Sequence, residues 1–498
     1  VSSQLWRTKS IDRLMAETEE PTHRLKKVLG PWSLVTLGIG AVIGTGVWVL
    51  SGTAAMGKAV AIKSVLHAPL LDLLLHGGEA VGIAGRPGAG PAVALSYVLV
   101  AIACSFAALC YAELASMIPV AGSAYTYTYA TLGELVAWLV GWNLILEYAV
   151  SNMAVAVGFS GYFDSILRGW GINLPRELSE PVFSGGAATG AVFNVPAFLI
   201  VMLLTVLLVI GIRESVGANT VMVIIKIVAI LVFVVGAAKY VDVDNLRPFA
   251  PNGAQGVLTG AALVFFAYIG FDSVSTAAEE CRQPQRDMPF GLLMTLFLTT
   301  VLYVAVAVVL TGIVHYKTLD PDAPVASALN QLGLVGMSRW VSIGAVCGMV
   351  SSLLVYQLGQ ARIWFAMSRD RLLPKAFSVV HPRFRTPHIS TWIAGFVVAI
   401  PSGLWDIGEL AELSNIGTLF AFALVCAGVW VLRRRRPDLR RPFRVPGMPW
   451  VTLAGILCCV ILMTSLPLVT WVRFVVWLII GLVIYFAYSR KRSELHQR

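Results

Sequence analysis

Charge is scarce in this sequence. Asp, Glu, Lys and Arg make up 13% of its 498 residues, about half the roughly 25% found in soluble domains. So little charge cannot cover a water-facing surface, which excludes an ordinary soluble globule. Cysteine is sparse and unpatterned: the 7 residues Cys104, Cys110, Cys281, Cys347, Cys426, Cys458 and Cys459 show no metal-ligand spacing. They read as small apolar residues, not as a disulfide frame. The sequence also has no His/Cys cluster, no Gly-rich phosphate loop and no nucleophile with a partner His, which argues against an enzyme. No Asn-x-Ser/Thr acceptor occurs, which favours a bacterial source. The first 30 residues lack the apolar core of a cleavable signal peptide. The first apolar segment is therefore expected to act as the insertion signal.

What the chain does have is long apolar runs. Hydrophobic residues reach 57% and mean hydropathy is +0.78. Runs of about 18 or more apolar residues cross roughly 30 Å of hydrocarbon as helix, whereas closed barrels show short alternating segments. Twelve helical segments follow, over about 33–56, 92–116, 124–163, 195–212, 217–240, 257–280, 289–314, 340–366, 389–406, 411–432, 449–468 and 471–489. The third is too long for one crossing, so part of it is expected to tilt or to run along the interface. With the N-terminus cytoplasmic, 26 of the 37 Lys and Arg fall on one side of the membrane, 10 on the other, and Lys226 within a segment. That asymmetry puts both termini in the cytoplasm. It also assigns the net charge of +10 to topology and not to nucleic acid. The run Arg433-Arg434-Arg435-Arg436 reads as an anchor on anionic headgroups.

Two segments carry the residues of a broken helix. Gly38, Gly40, Gly44 and Gly46 fall within nine residues of the first segment, with Thr45 between the last two. Each glycine costs about 1 kcal/mol of helix propensity against alanine. Close packing against a neighbouring helix is the plain alternative, but four glycines favour an unwound stretch. In the sixth segment Gly270, followed by Asp272 and Ser273, resembles a helix stop and a fresh N-cap. Breaks five segments apart are what an inverted repeat of five helices would give. Half-helix N-termini would turn amides toward a carboxylate, and nearby carbonyls could accept from an ammonium. One such site offers both ends of an α-amino acid a partner.

Four stretches together resemble the amino acid–polyamine–organocation superfamily, and within it the cationic amino acid transporters. They are Gly38 to Gly46, Tyr111-Ala112-Glu113-Leu114 with Pro119 to Tyr127, Phe265 to Glu280, and Ser368-Arg369-Asp370-Arg371-Leu372-Leu373-Pro374. The resemblance runs from about residue 20 to the end. It implies an all-α membrane protein with a five-plus-five inverted repeat, helices one and six broken, two further helices, and alternating access. The expected division is a cytoplasmic segment 1–32, a first repeat 33–240 with an extended loop 58–90, and a second repeat 257–432. A basic loop 433–448, two helices over 449–489 and a tail 490–498 complete it. By the same resemblance the substrate carboxylate looks to the backbone at Ile43, Gly44, Thr45 and Gly46. Its amino group looks to carbonyls near Val42, Phe266, Ala267 and Ile269, and Phe266 looks like an aromatic gate.

The sequence departs from the family in two places. The 58–90 loop is longer than expected and includes an apolar stretch, Leu66 to His76, that suits the outer interface; His67, Asp72, His76 and Glu79 there are read as interfacial residues and not as a metal site. Asn143 stands where relatives often place an acid, which weakens a strict cationic preference.

Ionisable residues inside the membrane need a reason to be there. Lys226, flanked by Ile225 and Ile227, is expected to exchange the coupling proton as a helix-five lysine does in proton-coupled relatives; a static hydrogen bond between helices is the alternative. Glu147 faces either the substrate or Lys226. Asp272 is expected mainly to cap the second half of helix six, with contact to the substrate or the coupling proton as the alternative. Glu113, Glu279 and Glu280 read as cytoplasmic gate or loop ion pairs, and Ser351, Ser352 and Tyr356 line helix eight. The resulting expectation is a multi-pass transporter in a bacterial inner membrane, moving cationic amino acids such as arginine, lysine or ornithine with protons. A neutral amino acid or polyamine carrier or exchanger is the alternative, and a non-transporting sensor a remote one. No metal or organic cofactor is expected beyond the proton gradient. Expected partners are the amino acid and the bilayer, with a small membrane subunit left open.

Overall fold

The computed structural model describes residues 6–11, 14–15, 29–59, 64–83, 85–120, 122–184, 187–210, 215–379, 381 and 386–493. Among them, eight helices are long and apolar enough to cross a membrane, and a ninth crossing is the pair Pro31–Val42 and Gly46–Met56, bent by 50°. Three shorter apolar helices, Val195–Ile210, His388–Ser402 and Trp450–Thr464, fill the fourth, ninth and eleventh expected places. The protein is an all-α, multi-pass membrane protein, as the sequence predicts.

Burial sorts these spans into a centre and a rim. The third span, Glu134–Gly169, and the sixth, Gly253–Ala278, are 89% and 94% buried over their apolar windows. The twelfth, Leu468–Arg492, is only 22% buried. Its Val472, Val475, Val476, Ile479, Ile480 and Val483 point outward. In lipid an apolar outer face costs nothing, so packing between helices rests on close approach and not on hydrophobic burial. Small residues provide that approach: Gly158 of the third span takes Thr45, and Gly395 of the ninth takes Thr205 of the fourth. The third and eighth spans (Val335–Arg369) run side by side through the middle, with the second (Gly90–Met117) and seventh (Pro284–Ile313) forming another such pair.

Three expectations are corrected. The long third segment is not one helix but two, Ser123–Thr131 and Glu134–Gly169, separated at Gly133. Gly133 has φ +106, a conformation side-chain-bearing residues avoid, and backbone atoms of Trp6 sit where its Cβ would be. Every residue of Ser123–Thr131 is buried, because this Ser/Thr/Tyr-rich helix packs against the third and tenth spans. Second, the arginine run is not wholly an anchor. Arg433 pairs with the buried Glu113, whose carboxylate also takes Arg441 at 3.4 Å and the Val445 amide at 2.7 Å. This joins the end of the second span to the basic loop after the tenth, Ile407–Arg435. The expected ion pairing of Glu113 is therefore present; Glu280 instead offers its carbonyl to the Leu29 amide at 3.0 Å. The Glu279 side chain is outside the described part. Third, the 58–90 loop is anchored inward as well as outward. Strands Gly57–Ala59 and Gly85–Pro87 pair antiparallel. The helix Leu70–His76 binds the turn between the last two spans through Leu70 N to Leu466 O and Leu468 N to Ala68 O, both 3.0 Å. Asp72 is buried and accepts from Gln255 at 2.8 Å, while Leu74 and Leu75 are exposed. Among the described residues no group of His, Cys, Asp or Glu is disposed to hold a metal.

Candidate functional site

Both expected breaks are present, and the glycines divide between the two readings of them. Gly38 and Gly40 lie inside the intact helix Pro31–Val42, against Thr295 and Asn219, where they serve packing. The chain leaves the helix at Ile43 (φ −79°, ψ 89°), and Gly44 and Gly46 flank the unwound step. A Cβ on Gly44 would meet Ser352 Oγ at 2.8 Å, and one on Gly46 would overlap the Ala267 backbone. The helix resumes at Gly46 as a wide π-turn, Gly46–Leu50. Thr45 at its N-cap makes no side-chain cap bond; its hydroxyl turns to Val155 O at 3.4 Å. The first amides of a helix have no partner within it, so this half-helix presents donors at the break.

The sixth span changes character three times. An α-helix, Gly253–Val264, tightens into the turn Phe265–Tyr268 and stops at Ile269. Gly270 then takes φ +106, and the chain continues as a tight helix, Phe271–Glu280. Ten residues of this tight winding is unusual, since its hydrogen bonds are poor. Phe266 is buried in the turn. Asp272 is not itself the N-cap residue, although its carboxylate lies against the Gly270 and Ser273 amides that open this half. Gly270 occupies the N-cap position without a side-chain bond, and the Asp272 carboxylate accepts from Ser123 Oγ at 3.1 Å.

Broken helices expose carbonyls that lipid cannot satisfy, and side chains from four other spans meet them. Lys226 of the fifth span, Ser215–Ala237, is fully buried, and its ammonium donates to Gly40 O at 2.7 Å and Ile43 O at 2.9 Å. Ser352 of the eighth span approaches the same two carbonyls at 3.3 and 3.4 Å. Tyr356, one turn further, donates to Ile269 O at 2.7 Å. Tyr97 of the second span reaches Gly46 O at 3.2 Å, and Tyr303 of the seventh lies between Val42 O and Ala267 O.

The structure thus brings Val42, Ile43, Gly44, Thr45, Gly46, Phe266, Ala267, Ile269 and Lys226 to one crossing of the first and sixth spans. It does not bring Glu147 to Lys226. No ion pair joins them among the described residues, because Lys226 turns to helix-one carbonyls. Glu147 is buried with Oε2 unpartnered. Asn143 donates to Gly417 O at 2.8 Å on the tenth span, away from the breaks. Sequence reasoning left out Tyr97 and Tyr303 and gave no role to Ser352 or Tyr356. The signal was available: a tyrosine in the middle of an apolar run, as in Thr300-Val301-Leu302-Tyr303-Val304, needs a partner for its hydroxyl.

The sequence matches the amino acid permease family over residues 29–488. It is 47% identical over 500 residues to the branched-chain amino acid permease BcaP of Bacillus subtilis (strain 168), covering all of both chains. It is 42% identical over 495 residues to the methylthioribose transporter of the same organism, covering 99% of this chain and 100% of that one. To the vacuolar cationic amino acid transporter 4 of Arabidopsis thaliana it is 37% identical over 445 residues, 88% of this chain and 68% of the relative. The chain belongs to the amino acid permease family, within the amino acid–polyamine–organocation superfamily.

Proposed function

We propose that this permease carries a neutral amino acid with a branched aliphatic side chain, driven by protons, across the cell membrane with both termini cytoplasmic. The amino acid backbone sits at the two breaks, with its carboxylate on the amides of Thr45 and Gly46, since those of Ile43 and Gly44 bind Ile39 O and Val42 O, and its ammonium on the carbonyls of Val42, Ala267 and Ile269. One observation carries the choice of side chain. The third-span surface facing Thr45 is Val155 and Gly158, without charge. Glu147 is eight residues away, about 12 Å along the helix axis. The carboxylate that stands beside the sixth-span break, Asp272, is already engaged by Ser123 Oγ at 3.1 Å, and an isobutyl group needs no charged partner. The full-length likeness to a branched-chain permease supports the same reading.

Lys226 is the coupling group in this scheme. Protonated, it holds Gly40 O and Ile43 O and fixes the unwound segment. Losing its proton weakens that hold and frees the segment to move.

Cationic transport is the second reading, favoured by the buried, unpartnered Oε2 of Glu147. Uptake by proteoliposomes of radiolabelled leucine, arginine and methylthioribose, with and without an inward proton gradient, decides between them. Leucine accumulation that needs the gradient is expected. Accumulation of arginine instead of leucine would establish the second reading, and leucine uptake indifferent to the proton gradient would remove the coupling.

A further inference from the structure

Tyr303 is fully buried in the seventh span. Its hydroxyl lies 3.0 Å from the Val42 carbonyl and 2.9 Å from the Ala267 carbonyl. These acceptors belong to different broken helices, so one oxygen spans the gap between the first and sixth spans. A phenol carries a single proton and can satisfy only one of the two carbonyls at a time. The ring has little freedom to choose another partner: Tyr97 and Tyr268 pack against it, both at 5.4 Å between centroids. Those neighbours are themselves fixed, Tyr268 by Tyr97 O at 3.0 Å and Tyr97 by Gly46 O and Ser51 Oγ. The hydroxyl is therefore aimed by packing from behind.

We propose that Tyr303 is a positioning residue of the ammonium site: its hydroxyl holds the Val42 and Ala267 carbonyls together in the empty carrier and yields them to the substrate's α-ammonium. The inference rests on the reading that these carbonyls receive the ammonium. An ammonium brings three donors where the phenol brings one, so loading completes a set the tyrosine only half satisfies. Without the hydroxyl, the empty carrier leaves the Ala267 carbonyl bare and the Val42 carbonyl with the Gly44 amide alone, at 3.0 Å, and the loaded carrier does not. The loss should fall on the steps made by the empty carrier, which net uptake requires and exchange avoids.

The test is Tyr303→Phe in proteoliposomes, measuring leucine uptake into empty vesicles and leucine exchange into leucine-loaded ones. Net uptake should fall about tenfold relative to exchange, the equivalent of about 1.4 kcal/mol, while leucine still raises the melting temperature. Tyr162→Phe also removes a buried hydroxyl bonded to the first span, at Trp48 O, and should keep the wild-type ratio. Net uptake and exchange falling together, or an unchanged ratio in Tyr303→Phe, overturns the proposal. If the Phe variant does not fold, Tyr303→Gln carries the test. Its N–H donors should preserve the wild-type ratio, and a tenfold lower ratio overturns the proposal. The underlying reading is tested separately on the wild type. Leucine should bind and 4-methyl-2-oxopentanoate, which lacks the ammonium, should not; equal binding would reject the ammonium site whatever Tyr303 does.

Discussion

The ammonium of Lys226 and the carbonyl of Ile43 meet at 2.9 Å, across the seam between the fifth span and the break in the first. The lysine stem reaches that point over Gly348 of the eighth span, where an added Cβ would stand 3.2 Å from Lys226 Cδ. A cation in this position fastens the unwound segment, and a neutral side chain of similar length would not.

Lys226→Met should therefore abolish gradient-driven leucine accumulation while sparing part of leucine exchange. Comparing the two fluxes in proteoliposomes checks it. Accumulation at the wild-type level in the variant would take Lys226 out of the coupling step.

Gly270→Ala should lower both stability and uptake. The added methyl group would have to adopt φ +106 and would stand 3.0 Å from the Tyr356 hydroxyl that binds Ile269 O. Strained backbone of this kind costs roughly 1–3 kcal/mol, enough to depress the melting temperature of the detergent-solubilised protein. A variant with wild-type melting and uptake would mean that the sixth span does not need its left-handed step.

Glu147→Gln should leave leucine affinity within about twofold of wild type, since an interaction never made with the substrate contributes nothing to its binding. Titration of the melting temperature with leucine measures this. A tenfold loss for leucine would place the carboxylate in the binding site, and arginine affinity gained by wild type but lost in the variant would favour the cationic reading.

The parts of this site that the sequence disclosed were those with an energetic anomaly confined to one stretch. Four glycines in a membrane helix and a lysine among isoleucines are costly wherever they stand, so they mark themselves. Which glycines unwind the helix was not written there. Gly38 and Gly40 differ from Gly44 and Gly46 only in what packs against them, Thr295 and Asn219 in one pair and Ser352 and Ala267 in the other. The partners of the tyrosines were illegible for a related reason. Tyr303 in an apolar run calls for a hydrogen-bond acceptor, but which carbonyl it meets depends on the faces of three helices. Glu113 suggests an ion pair, but its partner Arg433 lies 320 residues away in a run that reads as a headgroup anchor. The substrate preference was less legible still, since it depends on how far Glu147 stands from Val155 along one helix. Composition does not record that spacing.

The hairpin after the first span has a mechanical consequence. Lys58 pairs with Asp406, and Arg86 pairs with Glu412 at 3.1 Å, so both strands are fastened to the start of the tenth span. The same loop is clasped to the turn joining the last two spans. The half of the first span beyond the break, Gly46–Met56, therefore cannot swing as a free lever. When that face opens, either the tenth span travels with it as one rigid arm, or two ionic contacts are surrendered to water, and the stiffness of the doorway is set by a loop that touches no substrate.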